Sequence, residues 1–198
     1  MKYTVNGSET AFGSQVTSQL GATDISRSVM PEAGRNVAKR NFILQLGFED
    51  PAPAVVPLQY SALVFQPKVV FLGVVAGILF QSSTIFAALG ALLLWSALFP
   101  KLNPFNALYN RTIGSRPGFR LGPSPAPRRG AETQAGAVAL TSALLIHAGF
   151  SLAAYVAEAI FLAAALAVVI GSFCFGAFTY HLLRGRWRVA LQTLPWAR

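Results

Sequence analysis

The chain has 198 residues, of which 54% are hydrophobic and 12% charged, and a formal net charge of +9. That charged share is about half of what soluble domains carry, and the length leaves room for one small membrane domain with a modest extramembrane segment. A single cysteine excludes an intrachain disulfide and any cysteine-cluster metal site, and the basic residues gather in segments instead of covering a soluble face, so nucleic acid is not an expected partner.

Met1 to about Arg40 is polar and mixed in charge, with no basic start leading into an apolar run, so a cleavable signal peptide is not expected. Phe42–Phe48 is a short apolar island, and Asp50, Pro51, Pro53 and Pro57 punctuate an extended linker after it. Residues 1–66 therefore read as a mostly irregular cytoplasmic extension. It has too few large apolar residues for a core of its own. An arm that orders by burying the island against another protein is the expectation.

Pro67 and Lys68 open the first long apolar region, Val69 to Phe99, with proline suited to the first turn of a helix. Four consecutive polar residues, Gln81-Ser82-Ser83-Thr84, would be costly in mid-bilayer and divide it into helices over 67–81 and 83–99, with Ser83 as N-cap. Each is near the lower limit of length for a span. Gly73 and Gly77 form a GxxxG pattern, which lets helix backbones approach closely in lipid.

Residues 100–133 form a loop rich in Pro, Gly and Arg, with Lys101, Arg111, Arg116, Arg120, Arg128 and Arg129 against Glu132 alone. Gln134 to Leu183 then runs for fifty residues with Glu158 as its only charged residue. As one helix it would extend about 75 Å at ~1.5 Å per residue, far beyond a hydrocarbon core of about 30 Å. It must fold back, and Gly149-Phe150-Ser151 is the weakest place, which predicts antiparallel helices over 134–151 and 152–183. Ala159, Ala163 and Ala167 repeat at small-residue packing spacing on the second. A basic tail, 184–198, follows. In it Trp187, Leu191 and Leu194 recur at helical spacing, suited to a helix lying on the membrane surface.

The resulting expectation is an all-α integral membrane fold, with four transmembrane helices arranged as two hairpins. All sixteen Lys and Arg residues fall in or at the edge of the N-terminal segment, the central loop or the tail, and the two intervening turns have none. The positive-inside rule then puts both termini in the cytoplasm, with Arg111, Arg128, Arg129, Arg184, Arg186 and Arg188 set for topology and lipid headgroups. Trp95, Phe99, Tyr180 and Trp187 lie at the same helix ends, where aromatic belts form.

Candidate chemistry is sparse. His147 and Glu158 are nearly equidistant from the 151–152 turn, so an antiparallel hairpin would place them at similar depth as an intramembrane polar pair. That pair either locks the hairpin or relays protons. Cys174 is a possible redox residue, although a buried cysteine usually acts as a small apolar group. His147 and His181 are the available cofactor ligands, but they fall at opposite ends of their helices and do not suit a bis-histidine haem. No P-loop, Ser-His-Asp set, acidic pair or dinucleotide turn is present, and neither a catalytic nor a metal constellation is assigned.

Three stretches carry a resemblance. Pro100-Lys-Leu-Asn-Pro-Phe-Asn-Ala-Leu-Tyr-Asn110, Pro123-Ser-Pro-Ala-Pro-Arg-Arg129 leading into Gln134, and Phe173-Cys-Phe-Gly-Ala-Phe-Thr-Tyr-His-Leu-Leu183 are similar, in order, to segments of the DUF4395 family of bacterial membrane proteins. The resemblance covers roughly Val69 to Gly185. It implies a four-helix domain of the bacterial inner membrane, of uncharacterised function and sometimes found near thioredoxin-like proteins. Many members carry a second cysteine three residues after the one matching Cys174; Ala177 stands there, which weakens any dithiol chemistry.

Two functions follow as expectations. The first is a non-catalytic accessory or structural subunit of a larger membrane complex, whose partners are other membrane subunits and the bilayer. The alternative is a small redox-linked membrane enzyme or transporter using Cys174 or the His147/Glu158 pair. The topology makes its own test. Reporter fusions at Ser82 and Phe150 should be active in the periplasm, and fusions at Gly118 and the C-terminus in the cytoplasm. A periplasmic signal at Gly118 would overturn it.

Overall fold

The computed structural model describes residues 22–114 and 120–197. The chain forms two compact units, the first ending at Arg35 and the second beginning at Asn36. Helix α1, Ala22–Gln45, begins in the first and ends in the second. The second unit continues with α2 (Val56–Phe80), α3 (Ser83–Leu98), α4 (Pro104–Thr112), α5 (Ala126–His147), α6 (Ser151–Val169), α7 (Phe175–Leu183) and α8 (Trp187–Gln192), with a short 3-10 turn at Pro100–Leu102. Among the described residues there is no strand, so the fold is all-α.

Two of the expected breaks occur where polar and small residues interrupt the apolar runs. Between α2 and α3 the chain turns at Gln81, which takes a left-handed conformation (φ 43°), and the N-cap is Ser82, one residue before the expected Ser83. Its Oγ accepts the Ile85 N–H at 3.4 Å. Between α5 and α6 the turn is at Gly149, with φ 78°, a region glycine enters without steric penalty.

Other boundaries differ from expectation. Pro67 lies inside α2 instead of opening it, because the apolar run before it, Ala62-Leu-Val-Phe65, continues the helix; the proline has no N–H to give the Leu63 carbonyl. The helix expected over 152–183 is two. α6 stops at Val169, five non-helical residues intervene with Ser172 at φ 52°, and α7 begins at Phe175. The extension is not mostly irregular where it is described, since it carries α1 and the first turns of α2.

The island Phe42–Phe48 is also accounted for within the chain. Phe42, Ile43 and Leu46 are buried with Val56, Leu63, Val64, Val168 and Ala177, and Phe42 meets the Tyr60 ring edge-on at 5.5 Å. The expectation that the island waits for another protein is therefore corrected. A second cluster, centred on Val74, Phe86, Leu93, Ala139 and Phe161, joins α2, α3, α5 and α6.

The crossing between α3 and α5 rests on two glycines that the small-residue patterns did not single out. A Cβ at Gly90 would lie 2.7 Å from the Leu140 side chain and 3.1 Å from the Gly136 carbonyl oxygen, and one at Gly136 would lie 3.2 Å from the Gly90 oxygen. Gly73 and Gly77 accommodate the side chains of Leu89 and Phe86 instead of a facing backbone. Ala159 and Ala163 point out of the bundle, while the buried line of α6 is Ala154, Glu158, Phe161, Ala165 and Val168.

α2 and α6 are long and apolar enough to cross a membrane, and about a third or less of their apolar windows is buried inside the protein. Leu72, Leu79, Phe80, Leu152, Val156 and Ile160 are all more than half exposed. Replacing Gly90 or Gly136 by alanine should destabilise the bundle by about 1–3 kcal/mol through overpacking. Alanine at Gly122, where nothing lies within 4 Å, should leave the thermal unfolding midpoint in detergent unchanged.

Candidate functional site: a buried Arg–Glu pair beside an apolar cavity

The polar centre of the molecule is built at the start of α5. Arg128 and Glu132 are one helical turn apart and both face inward, each about 5% exposed at the side chain, with Arg128 Nε 3.3 Å from Glu132 Oε1. Arg128 Nη2 donates to Gln66 Oε1 of α2 at 2.6 Å and to Asn106 Oδ1 of α4 at 2.9 Å. Glu132 Oε1 also accepts from Asn103 Nδ2 at 3.2 Å and from Ser124 Oγ at 3.3 Å. Every partner is itself buried.

The asparagines of the 100–110 stretch explain its local shape. Asn103 caps α4, its Oδ1 accepting the N–H groups of Phe105 and Asn106 at 2.9 and 3.1 Å. Asn106 Nδ2 donates to the Gly122 carbonyl, and Asn110 exchanges two bonds with the Leu121 backbone. At spacings of three and four residues the three side chains share a face of α4. They draw the far end of the central loop onto the Arg–Glu pair.

Burial acts on both charges. It lowers the Arg128 guanidinium and raises the Glu132 carboxyl, against their mutual attraction and the hydrogen bonds that Gln66, Ser124 and Asn103 give the carboxylate. One atom of each group, Arg128 Nη1 and Glu132 Oε2, is buried with no hydrogen-bond partner in the protein.

Both residues line a cavity of about 240 Å³. It is walled by α1, α2, α5, α6 and the stretch Cys174-Phe175-Gly176, and its lining is mostly aliphatic and aromatic. A second set of polar contacts fixes that stretch. Gln45 Oε1 accepts the Cys174 N–H at 2.8 Å, and the Gln45 carbonyl lies 2.9 Å from His181 Nε2. A carbonyl only accepts, so Nε2 carries a proton. Burial pushes the Cys174 thiol up, which keeps it protonated at neutral pH.

The structure redistributes the residues singled out from sequence. His147 and Glu158 do not meet: His147 is exposed at the end of α5, whereas Glu158 is 2% exposed and its Oε2 accepts from Gln81 Nε2 at 3.1 Å. Gln81 reaches it because the left-handed turn brings the end of α2 over α6. His181 is buried against α1 and not set at a lipid interface, so the two histidines share no site. Arg128 is a buried hub instead of a headgroup contact, and Arg129 donates to the Ala97 carbonyl near the end of α3 at 2.7 Å. Arg111, Arg184, Arg186 and Arg188 are exposed, with Arg184 over the Tyr180 ring at 5.5 Å. In α8 and just after it, Trp187 and Leu191 are exposed and Leu194 half-buried, while Ala190 and Thr193 face the protein. Among the described residues no group of three or more His, Cys, Asp or Glu could hold a metal ion.

Gln66, Asn103, Asn106, Ser124 and Glu132 were not anticipated. Their signal was the i, i+4 spacing of Arg128 and Glu132 in a loop otherwise devoid of acids, together with the asparagine periodicity.

The fold and site define an all-α bundle closed over a buried Arg–Glu pair. The chain belongs to the family DUF4395, a domain of unknown function, whose model matches residues 61–185. Comparison with curated proteins and with solved structures gives no match. The matched range contains both members of the pair and all of their bonded partners.

Removing one member of a buried ion pair strands the other, at about 3–5 kcal/mol, whereas replacing both with apolar groups is closer to neutral. Arg128→Met and Glu132→Leu should each lower the thermal midpoint strongly, and the double variant should recover much of the loss. Additive losses in the double variant would show that the two groups are not coupled.

Proposed function

We propose that the chain is a four-span membrane protein of the bacterial inner membrane that serves as a non-catalytic accessory subunit of a larger complex. The spanning segments are 69–80, 83–98, 134–147 and 151–169, in two hairpins, and both termini are cytoplasmic. The exposed apolar surface of α2, α3 and α6 supports this, since a soluble core helix would be mostly buried. At ~1.5 Å per residue these segments are about 18 to 28 Å long, shorter than an average hydrocarbon core, which calls for local thinning of the bilayer or for neighbouring helices. Arg128, Glu132 and Cys174 lie in the layer beneath them, on the headgroup side.

The observation that carries the subunit reading is the outward face of α6. Ala159 and Ala163 are exposed there, one turn apart, so these two residues of the small-residue stripe are not used for packing inside this chain, whereas Ala167 is half-buried. In lipid such a stripe admits the close approach of another helix. From Asn36 on, the extension is committed to the chain's own core. Docking through the arm then falls to residues before it, and the main assembly contact to α6. The redox-linked alternative loses its intramembrane pair, because Glu158 bonds to Gln81 and His147 is exposed.

The test replaces Ala159 and Ala163 by leucine and isolates the protein from native membranes. The expected outcome is an inserted protein with an unchanged thermal midpoint that no longer co-purifies with its partners. Full retention of every partner would remove α6 as the assembly face.

A further inference from the structure

We infer that the cavity is a lateral slot for one acyl chain of a membrane phospholipid, which enters from the lipid between α6 and the start of α7. The slot presupposes the spanning arrangement proposed above. Ile160 on α6 and Phe175 at the start of α7 both line the cavity, and they are 59% and 55% exposed. Across from them on α5, the wall residues Gln134, Ala135 and Val138 are half-buried. The cavity is therefore open on the outer face of the bundle, which lipid covers in a spanning protein. Its inner end is closed by Phe42, Leu46 and Leu63, all buried.

The opening lies at the break after α6, and side chains from three other helices hold that break. Tyr60 Oη of α2 and Ser172 Oγ share a hydrogen bond at 2.7 Å, and Gln45 Oε1 of α1 accepts the Cys174 N–H at 2.8 Å. Gln134 Nε2 of α5 donates to the Gly176 carbonyl at 3.2 Å. The rim at Cys174-Phe175-Gly176 is thus anchored on both sides of the opening.

The chemistry of the guest follows from the wall, which is mostly aliphatic and aromatic. Its polar side chains are already engaged: Gln66 and Glu132 with Arg128, and Gln134 with Thr179 and the Gly176 carbonyl. The two atoms left without a partner at that end, Arg128 Nη1 and Glu132 Oε2, are closed to water and equally closed to a head group. An apolar cavity stays dry and takes an apolar guest, and this one, at about 240 Å³, exceeds the ~150 Å³ that takes up a benzene ring. Its shape selects a chain. From Arg128 to Val138 the wall extends along α5 for about 15 Å, at ~1.5 Å per residue. The long direction follows the helices, as the chains of a leaflet do.

The test uses the full-length protein in phosphatidylcholine vesicles that contain a phosphatidylcholine with a diazirine in one acyl chain. After irradiation the adducts are mapped by peptide mass spectrometry. Two wall residues have references of their own type outside the cavity, Phe161 against Phe86 and Ala165 against Ala154, and all four are buried. Labelling of Phe161 and Ala165 at least tenfold above these references is expected, alongside labelling of the exposed Leu152 and Val156. Ala164→Phe, which fills the slot from α6, should cut the labelling of Phe161 and Ala165 at least tenfold and leave Leu152 and Val156 unchanged. If that variant does not fold, Ala135→Leu fills the slot from α5 in its place.

Equal labelling of wall and reference residues, with Leu152 and Val156 labelled, would overturn the slot and leave the membrane reading standing. No label at Leu152 and Val156 would overturn both. Undiminished labelling of Phe161 in the filled variant would show that the label reaches it by another route, and would also overturn the slot.

Discussion

The end of the bundle where α5 begins depends on one guanidinium kept out of water. Arg128 bonds to α2 through Gln66, to α4 through Asn106 and to its own helix through Glu132. Asn103 and Ser124 close the arrangement from the loop side. An arginine has a fixed fork of donors and no acceptor, so its partners must come from several directions at once. The buried charge thereby dictates where three helices and a loop must lie. An apolar residue of the same volume would tolerate sliding, and this arrangement does not.

Above that layer the constraint is different. Between α3 and α5 the helices meet at Gly90 and Gly136, where the absence of side chains sets the distance. Below it, polar side chains set the orientation. The cavity lies where the two modes of packing meet, along α5 past Glu132, because neither glycine contacts nor hydrogen-bonded side chains fill that space. Glu158, bonded to Gln81 at the other end of the bundle, is a smaller version of the same device.

The helices were legible wherever composition changed sharply. Gln81 to Thr84 and Gly149 to Ser151 interrupt aliphatic runs, and the chain turns at both. The break between α6 and α7 was hidden because Ile170, Phe173 and Cys174 keep the stretch apolar, leaving only Gly171 and Ser172 as signals. Pro67 misled for the opposite reason: a strong local preference for the first turn was overridden by the apolar run on its N-terminal side. The polar site was the least legible part. A loop arginine that is buried looks like one that is solvated until its partners are known, and these come from positions 62 and 22 residues away along the chain. His147 and Glu158 show the converse error, since equal distance from a turn fixes depth and leaves the facing direction open.

Asn41 on α1 donates to the carbonyls of Leu194 and Ala197, across 153 and 156 residues of sequence. These bonds set an order of events during biosynthesis. At about 5–20 residues per second, Asn41 leaves the ribosome roughly 8 to 30 s before its acceptors do. For most of that interval the island after it also waits for Val168 and Ala177, so Phe42 and Ile43 remain without their full burial. A nascent chain with that apolar surface open to the cytosol is a substrate for holding factors. The contact of Asn41 with Leu194 and Ala197 therefore forms only once nearly the whole second unit has been made.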